Sequence, residues 1–310
     1  MGKDTRKSNE KANYKKPFWT TSRKDMLSGY LFIAPEFIGI ALLGIFPLLF
    51  SLYLSFTEWN LVGGIDAINF IGLDNFKYLF EDGVFHKSLI NNLIFSVVYV
   101  PFSIGIALVI AYFISSAVYF KDFFKVAFFI PYISTMVAVA AVFSVLFHPS
   151  LGVINNVLMS LGVENPPGWL GSTNTALWAV IIIAVWHVVG YNVVIYIAGL
   201  TGVSKELYEA AQIDGANKFK QFIHITMPML GPTTFFLVIT SIVNSFKVFD
   251  LIAFLTEGGP NNATNVLVYY IYEEGFQNFR MGYASALSWV LFIIVAIITL
   301  ATGRAQKSNF

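Results

Sequence analysis

The sequence predicts an all-α protein that crosses a lipid bilayer six times. Three observations carry that expectation. Of its 310 residues, 56% are hydrophobic and only 12% charged, where a soluble domain carries roughly a quarter charged, and mean hydropathy is +0.69. Six separate runs reach the length of about 20 apolar residues that a spanning helix needs. Lysine and arginine also fall almost entirely on one side of those runs.

Taken in order, residues 1–28 are hydrophilic and hold eight Lys or Arg. They are not expected to start a cleavable signal, because the apolar run behind them is too long and leads into further spans, so it is read as a retained span. The six runs cover residues 30–56, 89–115, 126–147, 175–200, 233–255 and 283–303. Backbone groups inside lipid must be bonded within their own segment, so each run is expected to be a helix. The expected organisation is a basic head (1–28), a six-helix membrane domain (29–303) and a short tail (304–310).

Orientation follows from the cations. With the N-terminus inside, inner segments hold fifteen Lys or Arg and outer loops hold Lys77, Lys87 and Arg280, while Lys247 lies within the fifth run. Both ends are therefore expected in the cytoplasm of a bacterial-type plasma membrane. The formal net charge of +1 gives no reason to expect nucleic acid, and the absence of cysteine excludes disulfides and thiolate metal sites. Four scattered histidines have no metal-ligand spacing. No G-x-x-x-x-G-K-[ST] loop is present to hold nucleotide phosphates, so hydrolysis of ATP would have to occur in another subunit.

Between the fourth and fifth runs, residues 203–228 interrupt the apolar pattern. Ser204 is placed as an N-cap, with Glu206 and Glu209 in the early turns where the helix dipole favours anions. Gly215, after Asp214, permits a left-handed turn. A second helix would then set Phe219, Phe222, Ile223 and Thr226 on one face. Pro228 and Pro232 mark re-entry into the bilayer at a new angle. An amphipathic linker resting on the membrane would explain the second half. It leaves the small, flat surface of Ala210, Ala211 and Gly215 unexplained, and that surface suits close approach by another protein.

Glu209-Ala210-Ala211, three residues, Gly215, nine residues, Ile225, one residue, then Met227-Pro228 resembles the EAA motif of binding-protein-dependent ABC importer permeases. Met227 stands where leucine is usual. Residues 30–60, 70–80, 249–272 and 282–292 are similar to the carbohydrate-type permeases that pair with a second, related permease. The resemblance implies a type I importer permease fold, with Glu206, Glu209, Ala210, Ala211, Asp214, Gly215 and Pro228 coupling to an ATPase. It also implies a second homologous permease, two ATPase subunits using ATP and Mg, an extracytoplasmic solute-binding protein and a sugar as cargo. This chain itself would hold no cofactor or metal and catalyse no reaction.

Polar side chains at membrane depth are costly and therefore functional candidates. Span five offers Ser241, Asn244, Ser245, Lys247 and Asp250; span four offers Trp186, His187 and Tyr191, with Asn192 beside them. By resemblance, the helices flanking the EAA loop handle substrate. Lys247 and Asp250 could instead neutralise each other as an i, i+3 pair, and His187 could be a packing residue. Gly258, Gly259, Pro260, Asn261 and Asn262 form an expected turn at the outer mouth. An ion-coupled secondary transporter is the rival reading. It would show interrupted half-helices and a buried coupling carboxylate, for which Asp250 is the candidate.

Overall fold

The computed structural model describes residues 21–116 and 119–307. Most of the expected basic head (residues 1–20) and the end of the tail (308–310) lie outside the described residues. The chain divides into two units, one ending at Tyr53 and the other starting at Leu54. In the first, α1 (Thr21–Ile40) continues through a π-helical turn (Ala41–Ile45) into α2 (Phe46–Leu54). The stretch Asp25–Leu54 is long and apolar enough to cross a membrane, and most of its large apolar side chains are exposed.

The second unit opens on a small antiparallel pair, β1 (Thr57–Glu58) with β2 (Asn69–Phe70). There follow α3 (Asp74–Glu81), α4 (Gly83–Ser116), α5 (Lys121–Ile133), α6 (Met136–Leu146), α7 (Val153–Ser160) and α8 (Ala176–Thr201). Next come α9 (Lys205–Ile213), then α10 (Lys218–Gln221), which passes through a π-helical turn into α11 (Met227–Met229). The remaining helices are α12 (Gly231–Ser245), α13 (Asp250–Leu255), α14 (Leu267–Tyr272) and α15 (Met281–Lys307). α15 runs past residue 303, so the expected tail begins as helix.

Helix α8 is central, packed along α4 on one side and α5 on the other. Ala107, Ala111, Ala179 and Val180 are fully buried in this contact region. Small side chains let helix backbones approach closely, which matters where lipid supplies no hydrophobic drive between helices. Gly190 takes this to its limit: a Cβ there would lie 1.8 Å from the Phe128 carbonyl oxygen of α5.

Polar side chains fasten the shorter helices. Asn92 of α4 donates to the Ser245 carbonyl at 3.0 Å and accepts the Leu267 N–H at 3.2 Å, satisfying one end each of α12 and α14. Asp82 accepts from the Val84 and Phe85 N–H groups at the start of α4, and its other oxygen accepts both the Tyr270 and Tyr283 hydroxyls. Burial acts to raise the Asp82 pKa, but these four donors outweigh it and hold the carboxyl below its ordinary value.

The expected six spans are compatible with the structure: among the described residues four single helices are long and apolar enough to cross, and two bent pairs bring the number to six where each counts as one span. Two of the six runs, 126–147 and 233–255, are not the single helices expected. Span three bends by 94° between α5 and α6. Pro131 removes a backbone donor there, Ser134 is extended, and Thr135 caps α6 by accepting the Ala138 N–H at 3.4 Å. Between α11 and α12 the chain turns by 65°, at the place marked by Pro228 and Pro232. The run 233–255 then breaks again, because α12 ends at Ser245 and α13 starts only at Asp250.

Candidate functional site

Two places gather the residues singled out by the sequence. The first is an open cavity of about 210 Å³ bordered by α4, α5, α6, α8 and the break between α12 and α13. His187, Asn244, Lys247 and Asp250 line it. The helical spacing that suggested the last three does not survive, since only Asn244 is in α12. They meet because the break turns all three toward one space. No ion pair joins Lys247 to Asp250, and both side chains are exposed to the cavity.

His187 Nε2 donates to the Ser134 carbonyl at 3.3 Å, so the packing role and the lining role coexist. That carbonyl is freed by the bend in span three. Tyr132 stacks on Tyr191 with ring centroids 4.8 Å apart and lies 5.7 Å from the His187 ring. Phe95, Tyr99, Tyr132 and Phe249 also line the cavity, and sequence reasoning missed all four. The wall thus combines aromatic faces with the hydrogen-bonding side chains of Asn244, Lys247, Asp250 and His187.

Four expected lining residues, Trp186, Tyr191, Ser241 and Ser245, are not part of its wall. Ser241 and Ser245 are buried; Ser245 Oγ hydrogen-bonds the Ile242 carbonyl at 2.7 Å and lies 2.9 Å from Ser96 Oγ, so it cements α12 to α4. Trp186 packs edge-on against Phe143 at 5.1 Å and lines an apolar groove on another side of α8. Consecutive helical positions lie about 100° apart, which carries Trp186 away from His187's side. Asn192 is buried against Ser103, donating to its carbonyl at 3.4 Å.

At one end of the cavity's helices, the turn at Gly258 to Asn262 forms as anticipated. Gly258, Asn261 and Asn262 have φ of 77°, 48° and 56°. Asn91 of α4 holds it by donating to the Asn262 and Asn265 carbonyls.

The second place is the 203–228 loop. Ser204 caps α9 by accepting the Glu206 N–H at 3.2 Å. Gly215 has φ of +78°, and the chain turns there with Ala216 N–H bonded to the Ala211 carbonyl at 2.8 Å. Asn217 caps α10 through the Lys220 N–H at 2.9 Å. A hydrogen bond of 2.9 Å between the Tyr208 and Thr226 hydroxyls ties the two helices together. The expected apolar face of the second helix is split. Phe222 packs on Tyr112 at 4.7 Å and Thr226 is buried, whereas Phe219 and Ile223 are exposed; Gln221 is buried in their stead. The π-helical turn at Phe222–Thr226 shifts the register and breaks the simple i, i+3, i+4 count.

Helix α9 has no buried residue. Glu206, Glu209, Ala210, Asp214 and Gly215 are exposed, with Ala211 half-buried. Among the described residues neither acid of α9 nor Asp214 makes an ion pair. At its tip Ile213 is 88% exposed, and Leu207 of the same helix is exposed as well. No candidate metal cluster occurs among the described residues.

Residues 78–308 match the family of binding-protein-dependent transport system inner membrane components. The chain is 35% identical to the lactose transport system permease protein LacF of Rhizobium radiobacter, over 94% of this chain and 99% of that one. It is 34% identical to the sn-glycerol-3-phosphate transport system permease protein UgpA of Agrobacterium fabrum, over 87% and 91%. Its fold is similar to a chain of a bacterial alginate ABC transporter solved in complex with an alginate pentasaccharide-bound periplasmic protein. The TM-score is 0.79 with 23% identity, over 94% of this chain and 98% of that one.

Proposed function

Because the chain belongs to the family of binding-protein-dependent transport system inner membrane components, we propose that it forms half of the pathway through which an ABC importer takes up a carbohydrate. It is a multi-pass membrane protein, and the other half would come from a homologous permease. A solute-binding protein would deliver the sugar from outside. Two ATPase subunits, holding ATP and Mg, would grip the 203–228 loop at the cytoplasmic face, where the one-sided distribution of cations puts both termini as well.

The observation that carries this reading is α9. A helix whose acids are unpaired and whose terminal Ile213 stands 88% exposed is incomplete by itself. Burying an isoleucine is favourable by about 1.5–3 kcal/mol, so a partner that covers Ile213 and pairs Glu209 would hold the loop firmly. Closure of the ATPase dimer would then drag α9 and α10. The Tyr208–Thr226 bond and the bend at α11–α12 carry that movement into span five, whose far end forms the cavity wall. The site would alternate between outward and inward access while the chain makes and breaks no covalent bond.

The cargo reading rests on the cavity's mix of aromatic and hydrogen-bonding groups and on the sugar-transport descriptions of relatives. With no ion pair between them, Lys247 would be free to meet an acidic group on the sugar and Asp250 to accept from a hydroxyl. An ion-coupled transporter remains the rival. Broken spans suit either scheme, and family membership is what favours the ATP-driven one.

The test is Glu209→Lys in the assembled importer. Uptake should be lost while the chain still inserts and folds, because a cation replaces the acid offered to the ATPase. Normal uptake would remove the loop from the coupling path.

A further inference from the structure

Two hollows adjoin where α4 ends at Ser116, against the 203–228 loop. The first, about 480 Å³, is the more polar of the two, and Lys205, Lys218, Tyr112, Tyr208, Gln212 and Gln221 are among the residues that line it. No carboxylate belongs to its wall, and among the described residues neither lysine makes an ion pair. The second, about 410 Å³, is nearly all apolar, walled by Val109, Phe113, Phe219 and Phe222. Tyr112, Ser116 and Lys218 line both, so the two form one amphipathic space.

The chemistry of an occupant can be read from this pairing. Two uncompensated ammonium groups call for an anion. The adjoining groove calls for hydrocarbon, since Phe113 and Phe219 are otherwise 68% and 70% exposed. A soluble anion would leave the groove empty, and a zwitterionic lipid would bring its own cation to face the lysines. We propose that this is a binding site for one anionic phospholipid, with its phosphate between Lys205 and Lys218 and an acyl chain along Phe113, Phe219 and Phe222. Position supports this, because α4 is a spanning helix and the site lies at its end, where headgroups gather.

So seated, the lipid bridges α9 and α10 to α4 and braces the loop. Its effect on transport rests on the coupling reading above; its binding does not.

The test is a lipid titration of the importer complex in neutral detergent, with adducts on this chain counted by native mass spectrometry. Each basic residue at a membrane surface contributes about fivefold to anionic-lipid affinity, so Lys205→Gln with Lys218→Gln should weaken phosphatidylglycerol binding about thirtyfold. Phosphatidylcholine binding should be weak in the wild type and unchanged in the variant. Lys218→Gln alone, at an exposed side chain that folding does not need, should weaken phosphatidylglycerol about fivefold. Equal affinity of the wild type for both lipids, or unaltered phosphatidylglycerol affinity in the variants, would overturn the site. Displacement of the lipid by excess inorganic phosphate would also overturn it, by assigning the lysines to a free anion. The measurement needs neither nucleotide nor uptake, so its failure is distinct from a failure of the coupling role.

Discussion

Gly190→Ala adds one methyl group at the tightest helix crossing in the second unit. Its Cβ would lie 1.8 Å from the Phe128 carbonyl oxygen, 2.6 Å from the carbonyl carbon and 3.1 Å from Phe129 Cα. Side-chain carbons are essentially never found within 3.0 Å of such atoms, so α5 and α8 must part by at least about 1.2 Å. The obstacle is backbone, so no rotamer change relieves it. Overpacking of a tight interior costs about 1–3 kcal/mol, and a rigid obstacle belongs near about 3 kcal/mol. The shift also reaches the cavity. Tyr132 lies one helical turn beyond Phe128 and stacks on Tyr191 at 4.8 Å, so that contact opens and the His187 wall moves. Gly105 of α4 serves as the control, because nothing lies within 4 Å of its would-be Cβ. Gly105→Ala should be neutral or stabilising by up to about 1 kcal/mol, as expected for replacing a helical glycine. The assay is thermal unfolding of the purified complex in detergent, followed by size-exclusion chromatography, alongside sugar uptake in cells. If Gly190→Ala unfolds at the same temperature as Gly105→Ala and transports normally, the close α5–α8 crossing is wrong.

Three further outcomes are expected. Ile213→Asp should weaken retention of the ATPase by about thirtyfold, since losing the burial of one isoleucine is worth about 2 kcal/mol; unchanged co-purification across a salt series would show that Ile213 is not covered. Asn244→Leu should alter uptake or sugar preference and leave ATPase retention intact, and wild-type uptake of every sugar tried would take α12 out of the path. Asp82 has a folded-state pKa below its unfolded value, so its stabilisation is complete above about pH 4 and fades as pH falls through the lower folded value. Asp82→Asn should cost about 2 kcal/mol near neutral pH, a typical worth for hydrogen bonds to a charged group, and should flatten that acid limb of the unfolding curve; an unaltered limb would assign it to other carboxylates.

Much of the architecture was legible because it rests on quantities that add along the chain. Apolar length gave the spans, and Ser204 and Gly215 act through neighbours no more than three residues away. The cavity was only half legible. His187, Asn244, Lys247 and Asp250 announce themselves as polar groups in apolar runs, yet Ser241 and Ser245 look the same in sequence and are buried. Ser245 is turned to the hydroxyl of Ser96, 149 residues away, and no local pattern contains that partner. Tyr99, Tyr132 and Phe249 are hidden for the opposite reason, since an aromatic residue in an apolar run carries no mark of facing a hollow. The bends were also invisible to hydropathy, which sums side chains without registering where a backbone bond is missing.

Those bends explain why a polar cavity exists within an apolar bundle. An unbroken helix spends its N–H and C=O groups on itself and presents only side chains. Where α5 gives way to α6, the Ser134 carbonyl is released, and His187 finds it from the facing helix. Where α12 stops, the break at 246–249 brings Asn244 of α12, Lys247 and Asp250 of α13 to one side. The short helices beyond the two breaks, α6 and α13, pack together, so both interruptions face one space. Irregular backbone at membrane depth is tolerated only against protein or a wet cavity, and each break here supplies the other with such a boundary. A substitution that straightened span three, such as replacing Pro131 and Ser134 with alanine, would therefore remove more than a kink. It would withdraw the carbonyl that orients His187 and leave the 246–249 turn facing lipid, so uptake should fall even if every lining side chain were kept.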